Sequence, residues 1–405
     1  MTLTASLRSH LEGIERELVA LRRDLHQIPE VGLDLPDTRR RLLEALEGLP
    51  LDITLGEGCT SITAVLRGTA PSDAGERPVV LLRGDMDGLP VEELTGLDFA
   101  SVNGNMHACG HDLHMALLVG AVRALCEHRD RLPGDVVFMF QPGEEGFDGA
   151  SVMIAEGVLD AAGRRPDAAY AIHVFSALEP HGIFATRPGA MMAASDEIHV
   201  VVTGRGGHGS APHLAVDPVP ALAQMVLATQ VLVGRRVDVF DPAVISVGKL
   251  QAGTRSNVIP ESGEFEATLR TFSSEQQDNL FRLIPETMRG IAASNGVGVE
   301  VELRHQYPVT VNDPDHAEAV VDAVADVFGS ERAVVWTRPL TGSEDFSRVL
   351  AEVPGAFIAL SAVPERVDPL TAPYNHSAYA VFDDGVVADG ALLLAELACR
   401  TLGAE

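Results

Sequence analysis

The sequence has no basic surplus, no long apolar run and no paired cysteine motif, and each absence closes off a class of function. Lys and Arg number 30 against 58 Asp and Glu, a formal charge of -28. A chain this acidic repels nucleic acid and anionic membranes, because both are gripped through basic patches. An anionic small molecule would have to be met by local arginines. No stretch approaches the ~20 apolar residues that span a bilayer. Arg8, Glu12, Glu15, Arg16 and Glu17 stand where a secretory signal needs an uncharged apolar region. Cys59, Cys109, Cys126 and Cys399 are too widely spaced, in too long a chain, for the disulfide framework of a small secreted domain. These absences predict a soluble, cytoplasmic protein with reduced thiols and with neither nucleic acid nor membrane as partner. The segment GTAPSDAGERP (68–78) reads as a polar surface turn.

What is present is an ordinary globular interior, 46% hydrophobic and 22% charged. A length of 405 residues exceeds what one core usually holds, so two domains are expected, one inserted in the other. Leu7, Leu11, Ile14, Leu18, Leu21 and Leu25 fall at helical spacing and predict an amphipathic helix ended near Pro29. After it, apolar strand-like runs alternate with helical patterns, as in an α/β domain with a central mostly parallel sheet. Three of these runs share a design. Strand 79–82 leads into Asp85 and Asp87, strand 136–140 into Glu144 and Glu145, and strand 168–172 ends at His173. Ligand sites of open α/β sheets lie beyond the carboxyl ends of the strands, so these acids and this imidazole are delivered to one edge. From 194 to 305 the order becomes strand, helix, strand, strand, helix, strand, which is the βαββαβ split motif of ferredoxin-like domains. The expected organisation is therefore one α/β domain in two parts, 1–193 and 306–405, interrupted by an inserted domain at 194–305.

The stretch MHACGHDLH (106–114) crowds His107, Cys109, His111, Asp112 and His114 ahead of an apolar helical run, 113–125. Asp112 can cap that helix, and a helix N-terminus lowers a thiol's pKa toward the thiolate that binds metal. Cys109 and His111, two residues apart, can point at one site. With Glu145, His173 and one further imidazole they make a nitrogen, sulfur and oxygen set that suits zinc, manganese, cobalt or nickel better than calcium or magnesium. There is no pair of CxxC units and no HExxH helix, which argues against a zinc ribbon and the zincin arrangement. His107 and His114 are read as neighbours of the site, and Cys59, Cys126 and Cys399 as small core residues. Side chains of adjacent Glu144 and Glu145 diverge on an extended turn, so one can bind metal while the other accepts a proton from water. That is machinery for hydrolysis. A cysteine nucleophile at Cys109 is the competing reading, but it leaves Glu144, Glu145 and His173 without work. In the inserted domain, GRGGHGSAPH holds His208 and His213, where a histidine could steady an oxyanion. Asn257 and Arg270 offer an amide and a guanidinium fork for a substrate carboxylate. GSEDF (342–346) and YNHSAY (374–379) add acids and His376.

In order along the chain, DMDGLPVEELTGLDF, MHACGHDLH, FQPGEEG, GGHGSAPH, DPV, NVIP, GSEDF and the late NH resemble one family across nearly the whole length. This is the aminoacylase and carboxypeptidase group of two-metal peptidases, in particular its amidohydrolase branch of hippurate hydrolases, indoleacetyl-amino-acid hydrolases and N-acyl-amino-acid aminoacylases. Asp85 stands where the carboxypeptidase relatives use a histidine, which sets the chain with the amidohydrolase branch. Its QPGEEG and HVF look more like the bacterial acyl-glutamine aminoacylases of that branch. The resemblance implies that Cys109, His111, Glu145, His173 and His376 bind a pair of divalent metal ions, with Glu144 as general base and later acid and Asp87 supporting the metal site. It implies that the inserted domain is a lid and dimerisation domain of a homodimer, through which His208 can reach the partner's site. His213, Asn257 and Arg270 would hold substrate. The expected activity is metal-dependent hydrolysis of the amide bond of an N-acyl-L-amino acid. A dipeptidase or aminopeptidase on the same scaffold, or a non-catalytic metal-binding relative, are the alternatives.

Overall fold

The structure is a computed structural model that describes residues 2–72 and 75–404; Asp73 and Ala74 of the polar turn expected at 68–78 lie outside the described residues. The first part of the chain forms α1 (Leu3–His26), α2 (Pro36–Leu46), β1 (Leu51–Leu55), β2 (Ile62–Arg67), β3 (Val79–Asp85), α3 (His111–Glu127), β4 (Asp135–Gln141), α4 (Gly149–Ala155), β5 (Ala168–Phe175), β6 (Phe184–Thr186) and β7 (Gly189–Met192). Next come β8 (Ser195–Thr203), β9 (Gly207–His208), α5 (Pro218–Arg236), β10 (Ala243–Ala252), β11 (Val258–Ile259), β12 (Ser262–Thr271), α6 (Ser274–Asn295) and β13 (Gly298–Tyr307). The chain closes with β14 (Thr310–Asn312), α7 (Pro314–Phe328), β15 (Ala333–Val335), α8 (Ser347–Leu350), β16 (Gly355–Ser361) and α9 (Val387–Leu402). Contacts divide it into two compact units. The first comprises Met1–Met191, Val311–Arg338 and Asp345–Glu405, the second Met192–Thr310 and Pro339–Glu344.

The first unit is built on an eight-stranded sheet of order β1-β2-β4-β3-β5-β16-β6-β15. Its centre, β4-β3-β5-β16, is parallel, and antiparallel pairs enter only toward the edges. The α/β fold expected from the sequence is present, with a more mixed periphery than the apolar runs suggested. β3, β4, β5 and β16 are buried at every position, as continuous apolar strands must be when both faces of a sheet are covered. α3 and α9 pack on β3 and β5, and α1 packs on both helices. All six leucine and isoleucine positions of the expected N-terminal stripe are buried in α1. β5 runs on to Phe175, so His173 lies within the strand rather than after it.

The second unit has a four-stranded antiparallel sheet of order β10-β12-β8-β13. Counted along the chain this is 2-3-1-4, the ferredoxin-like arrangement. β8 and β12 alternate buried and open positions, and Ile198, Val200, Val202, Phe265 and Leu269 form a core with Leu222, Met225, Leu280 and Ile284 of α5 and α6. The caps follow local chemistry. The Asp217 side chain accepts from Val219 N at the start of α5, Ser273 from Gln276 N at the start of α6, and Gly296 ends α6 with φ 68°, a conformation that L side chains rarely adopt. Segment Pro339–Glu344 goes with this unit because Ala193 N donates to Leu340 O and Gly342 O, and Arg270 to Ser343 Oγ. Among the described residues no helix is long and apolar enough to cross a membrane.

Candidate active site

Two glycines let the elements of the first unit close on one point. A Cβ on Gly84 in β3 would lie 2.9 Å from His114 O, so its absence lets α3 lie against the strand. Gly110, at φ 80°, precedes α3; a Cβ there would meet Val174 Cγ2 at 2.3 Å. Cys109 and His111 are thereby brought to the carboxyl ends of β3 and β5. His111 is the first residue of α3, two residues earlier than the apolar run begins. His376 arrives from the far end of the sequence. Its backbone N–H donates to Ala108 O at 2.8 Å, and its φ of 72° is a strained conformation of the kind that clusters at functional sites.

The result is a convergent donor cluster. Cys109 Sγ lies 3.4 Å from His173 Nε2 and 3.2 Å from His376 Nε2. His376 Nε2 is 3.1 Å from Glu145 Oε1, and His111 Nε2 is 4.0 Å from the same oxygen. Cys109, His111 and His173 form one group with ligand atoms within 4.8 Å of one another; Cys109, Glu145 and His376 form a second, and His111, Glu144 and Glu145 a third. His173 donates from Nδ1 to Val174 O at 2.8 Å, which leaves the Nε2 lone pair facing the cluster. Both ring nitrogens of His111 are buried without a hydrogen-bond partner among the described residues. Orphaned imidazole nitrogens beside a thiol and a carboxylate are the donor chemistry of a transition-metal or zinc site. Hydrogen bonds to Cys109 and Glu145 push His376 up to about 10. Burial would raise the Glu145 carboxyl, but His376 and His111 overcome it and hold it below its ordinary value. The cluster therefore favours positive charge at its centre.

Asp87 and Asp85 end the β3 arm. The two oxygens of Asp87 accept from Glu144 N at 3.1 Å and Glu145 N at 3.0 Å, fixing the backbone of the glutamate pair, and Asp87 Oδ1 is 3.4 Å from His111 Nδ1. His114 lies beside the donor set with both nitrogens engaged: Nδ1 donates to Asp85 at 2.5 Å and Nε2 accepts from Val174 N at 2.7 Å. His107 is fully buried, which pushes it down to about 3. The three remaining cysteines are buried free thiols, and burial lifts Cys126 and Cys399 to about 12, so they are inert.

The capping role expected of Asp112 is not seen. Gly110 is the N-cap of α3 and makes no side-chain cap bond; Asp112 turns inward and pairs with Arg22 Nε and His26 Nδ1, both at 2.7 Å. A charged guanidinium and imidazole are stronger partners for a carboxylate than backbone N–H groups. Burial opposes protonation of His26, but Asp112 and Glu93 prevail and raise it to about 9. A folded-state pKa above the unfolded value means that this contribution is complete below pH ~6.5 and vanishes as pH rises through ~9, a loss of up to about 3 kcal/mol. Urea unfolding at pH 6.5 and 9.5 should show it. His26→Gln should remove most of the difference; an unchanged pH dependence in that variant would count against the assignment.

In the second unit, His208 of β9 pairs with Val258 of β11, and Gly209 N donates to Asn257 O at 2.9 Å, so His208 and Asn257 are brought together. His208 is exposed, with Nδ1 2.8 Å from Ser210 Oγ, and His213 sits in the short exposed turn Pro212–Leu214. Arg270 is not with them. It lies near the other end of β12, opposite Val244, half-buried, where burial lowers its pKa. Sequence reading missed Asn375, whose Nδ2 donates to Val174 O at 3.0 Å and whose Oδ1 accepts from Ser176 N at 3.0 Å, locking the His376 loop to the His173 strand. Its only sequence signal is that it precedes His376. The same reading had given Arg83 and Gln141 no part, and had assigned none to Asp345 within GSEDF.

Known proteins carry the same framework. The chain is 36% identical over 405 residues to thermostable carboxypeptidase 1 of Saccharolobus solfataricus, covering 99% of each. It is 36% identical over 390 residues to IAA-amino acid hydrolase ILR1-like 2 of Arabidopsis thaliana, covering 95% of this chain and 85% of that one. A Bacillus subtilis crystal structure described as a dinuclear metal binding peptidase from the M20 family superposes with a TM-score of 0.82 at 30% identity, over 97% of this chain and 100% of that one. Residues 81–400 match the family described as peptidase family M20/M25/M40. With its buried thiol, imidazole and carboxylate cluster and its paired glutamates, the chain belongs to this family and is a metal-dependent hydrolase of amide bonds.

Proposed function

We propose that the protein hydrolyses the amide bond of N-acyl-L-amino acids, releasing a carboxylic acid and the free amino acid. The observation that carries this is the Glu144–Glu145 pair: Glu145 is turned into the donor cluster with Cys109 and His376, while Glu144, held by its backbone to Asp87, groups with His111. Cys109, His111, Glu145, His173 and His376 fit a pair of divalent ions, zinc, manganese, cobalt or nickel; the nitrogens of His111, buried without a hydrogen bond, and the mixed donor set support this, as does the likeness to a dinuclear protein. Such ions supply Lewis acidity toward the amide carbonyl and make water acidic near pH 7. Glu144 takes the proton of the attacking water and returns it to the departing amine. His208 donates to the oxyanion, Arg270 binds the substrate carboxylate, and Asn257 and His213, which lie on the His208 side, hold the substrate beside its scissile carbonyl. Residues 1–193 and 306–405 then act as the catalytic domain and 194–305 as the lid and dimerisation domain.

Within the second unit, β12 carries Arg270 eight residues beyond Ser262, about 27 Å along a strand, and Ser262 is the end to which the His208 segment is tied. The carboxylate and the scissile carbonyl of an N-acyl amino acid are about one residue apart, ~3.8 Å. His208 and Arg270 of one chain are thus poorly disposed to serve the same substrate molecule. A homodimer in which His208 acts on the partner's substrate removes the conflict. It is further supported by β10, which among the described residues is an edge strand of the four-stranded sheet, and by the exposed apolar side chains Leu227 and Val231 on α5 and Leu250 on β10. The cytoplasmic assignment is supported by four unpaired thiols.

Chelation, refilling with each of the four metals and assay on a matched panel test the reaction. N-acyl amino acids are expected to be cleaved with kcat/KM at least about tenfold above that of free dipeptides, since a free ammonium would be left without a partner. A preference for a free amino terminus would establish the peptidase reading instead. No turnover with any metal would establish a non-catalytic binder.

A further inference from the structure

The geometry points to Asp345 as a positioning residue for the catalytic glutamates, one carboxylate that clamps both stems of the loop carrying Glu144 and Glu145. This rests on Glu144 being the base. Residues 142–148 connect Gln141, the last residue of β4, to Gly149, the first of α4. Asp345, fully buried, spans that connection. Its Oδ1 accepts from Gln141 Nε2 at 2.8 Å and from Arg83 Nη2 at 3.0 Å; its Oδ2 accepts from Gln141 Nε2 at 2.7 Å and from Ala150 N at 2.9 Å. One stem is held through a side-chain amide and the other through a backbone N–H of the first turn of α4.

The clamp is itself oriented. Arg83 Nε donates to Gln141 Oε1 at 2.9 Å, which leaves the Gln141 amide only one way round, with Nε2 facing Asp345. Arg83 Nη1 donates to Asp85 at 2.5 Å; Arg83 and Asp85 are two apart on β3, hence on the same face. At the loop's apex Asp87 holds Glu144 N and Glu145 N. The loop is therefore pinned at its apex by one acid and at both stems by another, 258 residues further along the chain. Burying Asp85 and Asp345 against Arg83 is a poor route to stability, since apolar side chains of similar volume commonly do as well or better. What a fully satisfied polar network supplies is one discrete geometry, and a base needs that, because a misplacement of about 1 Å can cost on the order of 10²-fold in rate.

Asp345→Asn keeps the shape but offers one accepting oxygen, so a stem is released. On the metal-loaded enzyme it should lower kcat about 10²-fold with KM within about threefold and with the cation content of the parent. In a Glu144→Gln background the same change should lower the residual rate by less than about threefold, because the group being positioned is gone. Gln141→Met, uncharged and close in size, should lower kcat about tenfold with the same signature and decides the matter if Asp345→Asn does not fold. Parental kcat in the substituted enzymes, an equal fall in the Glu144→Gln background, or a fall that tracks cation loss would each overturn the inference. Parental activity in Glu144→Gln alone would instead overturn the assignment of the base, so the two failures are told apart.

Discussion

Glu144→Gln is expected to lower kcat by roughly 10²–10⁴-fold, the span that a positioned general base contributes, with cation content unchanged. The substitution is nearly isosteric. It leaves the Glu144 N–H to Asp87 bond intact, because that bond uses backbone, and it leaves Cys109, His111, Glu145, His173 and His376 as they are. What it removes is the only part of the side chain that can hold a proton in transit. KM should move little, because the lost interaction exists only as the proton moves. The measurement is steady-state kinetics on N-acetyl amino acids together with metal analysis of the same preparation. Parental turnover would show that another group is the base. Loss of cations along with activity would show that Glu144 is a ligand and not a base.

The reach of the sequence followed the range of the interactions concerned. Short-range signals carried the helices: the leucine stripe of α1, Asp217 before α5, and Ser273 and Gly296 around α6 are local patterns, and each element begins and ends close to them. The strand order of the second unit was implicit in the alternation of its elements. Of the donor cluster, Glu145 and His173 were legible from buried strands, Cys109 and His111 from their crowding ahead of a helical run, and His376 only through the family resemblance. Asp112 was misread for the opposite reason. Its local context says helix cap, and its real partners, Arg22 and His26, are about ninety residues away in α1. Asn375, Gln141 and Asp345 gave no local signal of their partners. Their work is done across 199, 58 and 262 residues of chain, to Ser176, Arg83 and Arg83 again, and no spacing rule reaches that far.

His208→Ala is expected to lower kcat by roughly 10²–10³-fold, as removal of one oxyanion donor does, and a second chain should be able to restore the loss. The distance along β12 makes this a sharp case. If His208 serves the substrate held by Arg270 of the partner subunit, a dimer of one His208→Ala chain and one Glu144→Gln chain has one complete site: the Glu144 of the first chain with the His208 of the second. Random mixing of the two inactive variants makes half the dimers hybrid, and each hybrid has one working site of two, so about a quarter of parental activity should return. The exchange can be driven by co-expression with two different tags and read on the doubly purified hybrid, where the expectation rises to about half. No recovery in the purified hybrid would mean that each chain completes its own site, and the dimer would then be dispensable for chemistry. Recovery would make dissociation itself inactivating. A charge placed at Leu227 on α5, far in sequence from every donor residue, should then abolish turnover while leaving the cation cluster loaded.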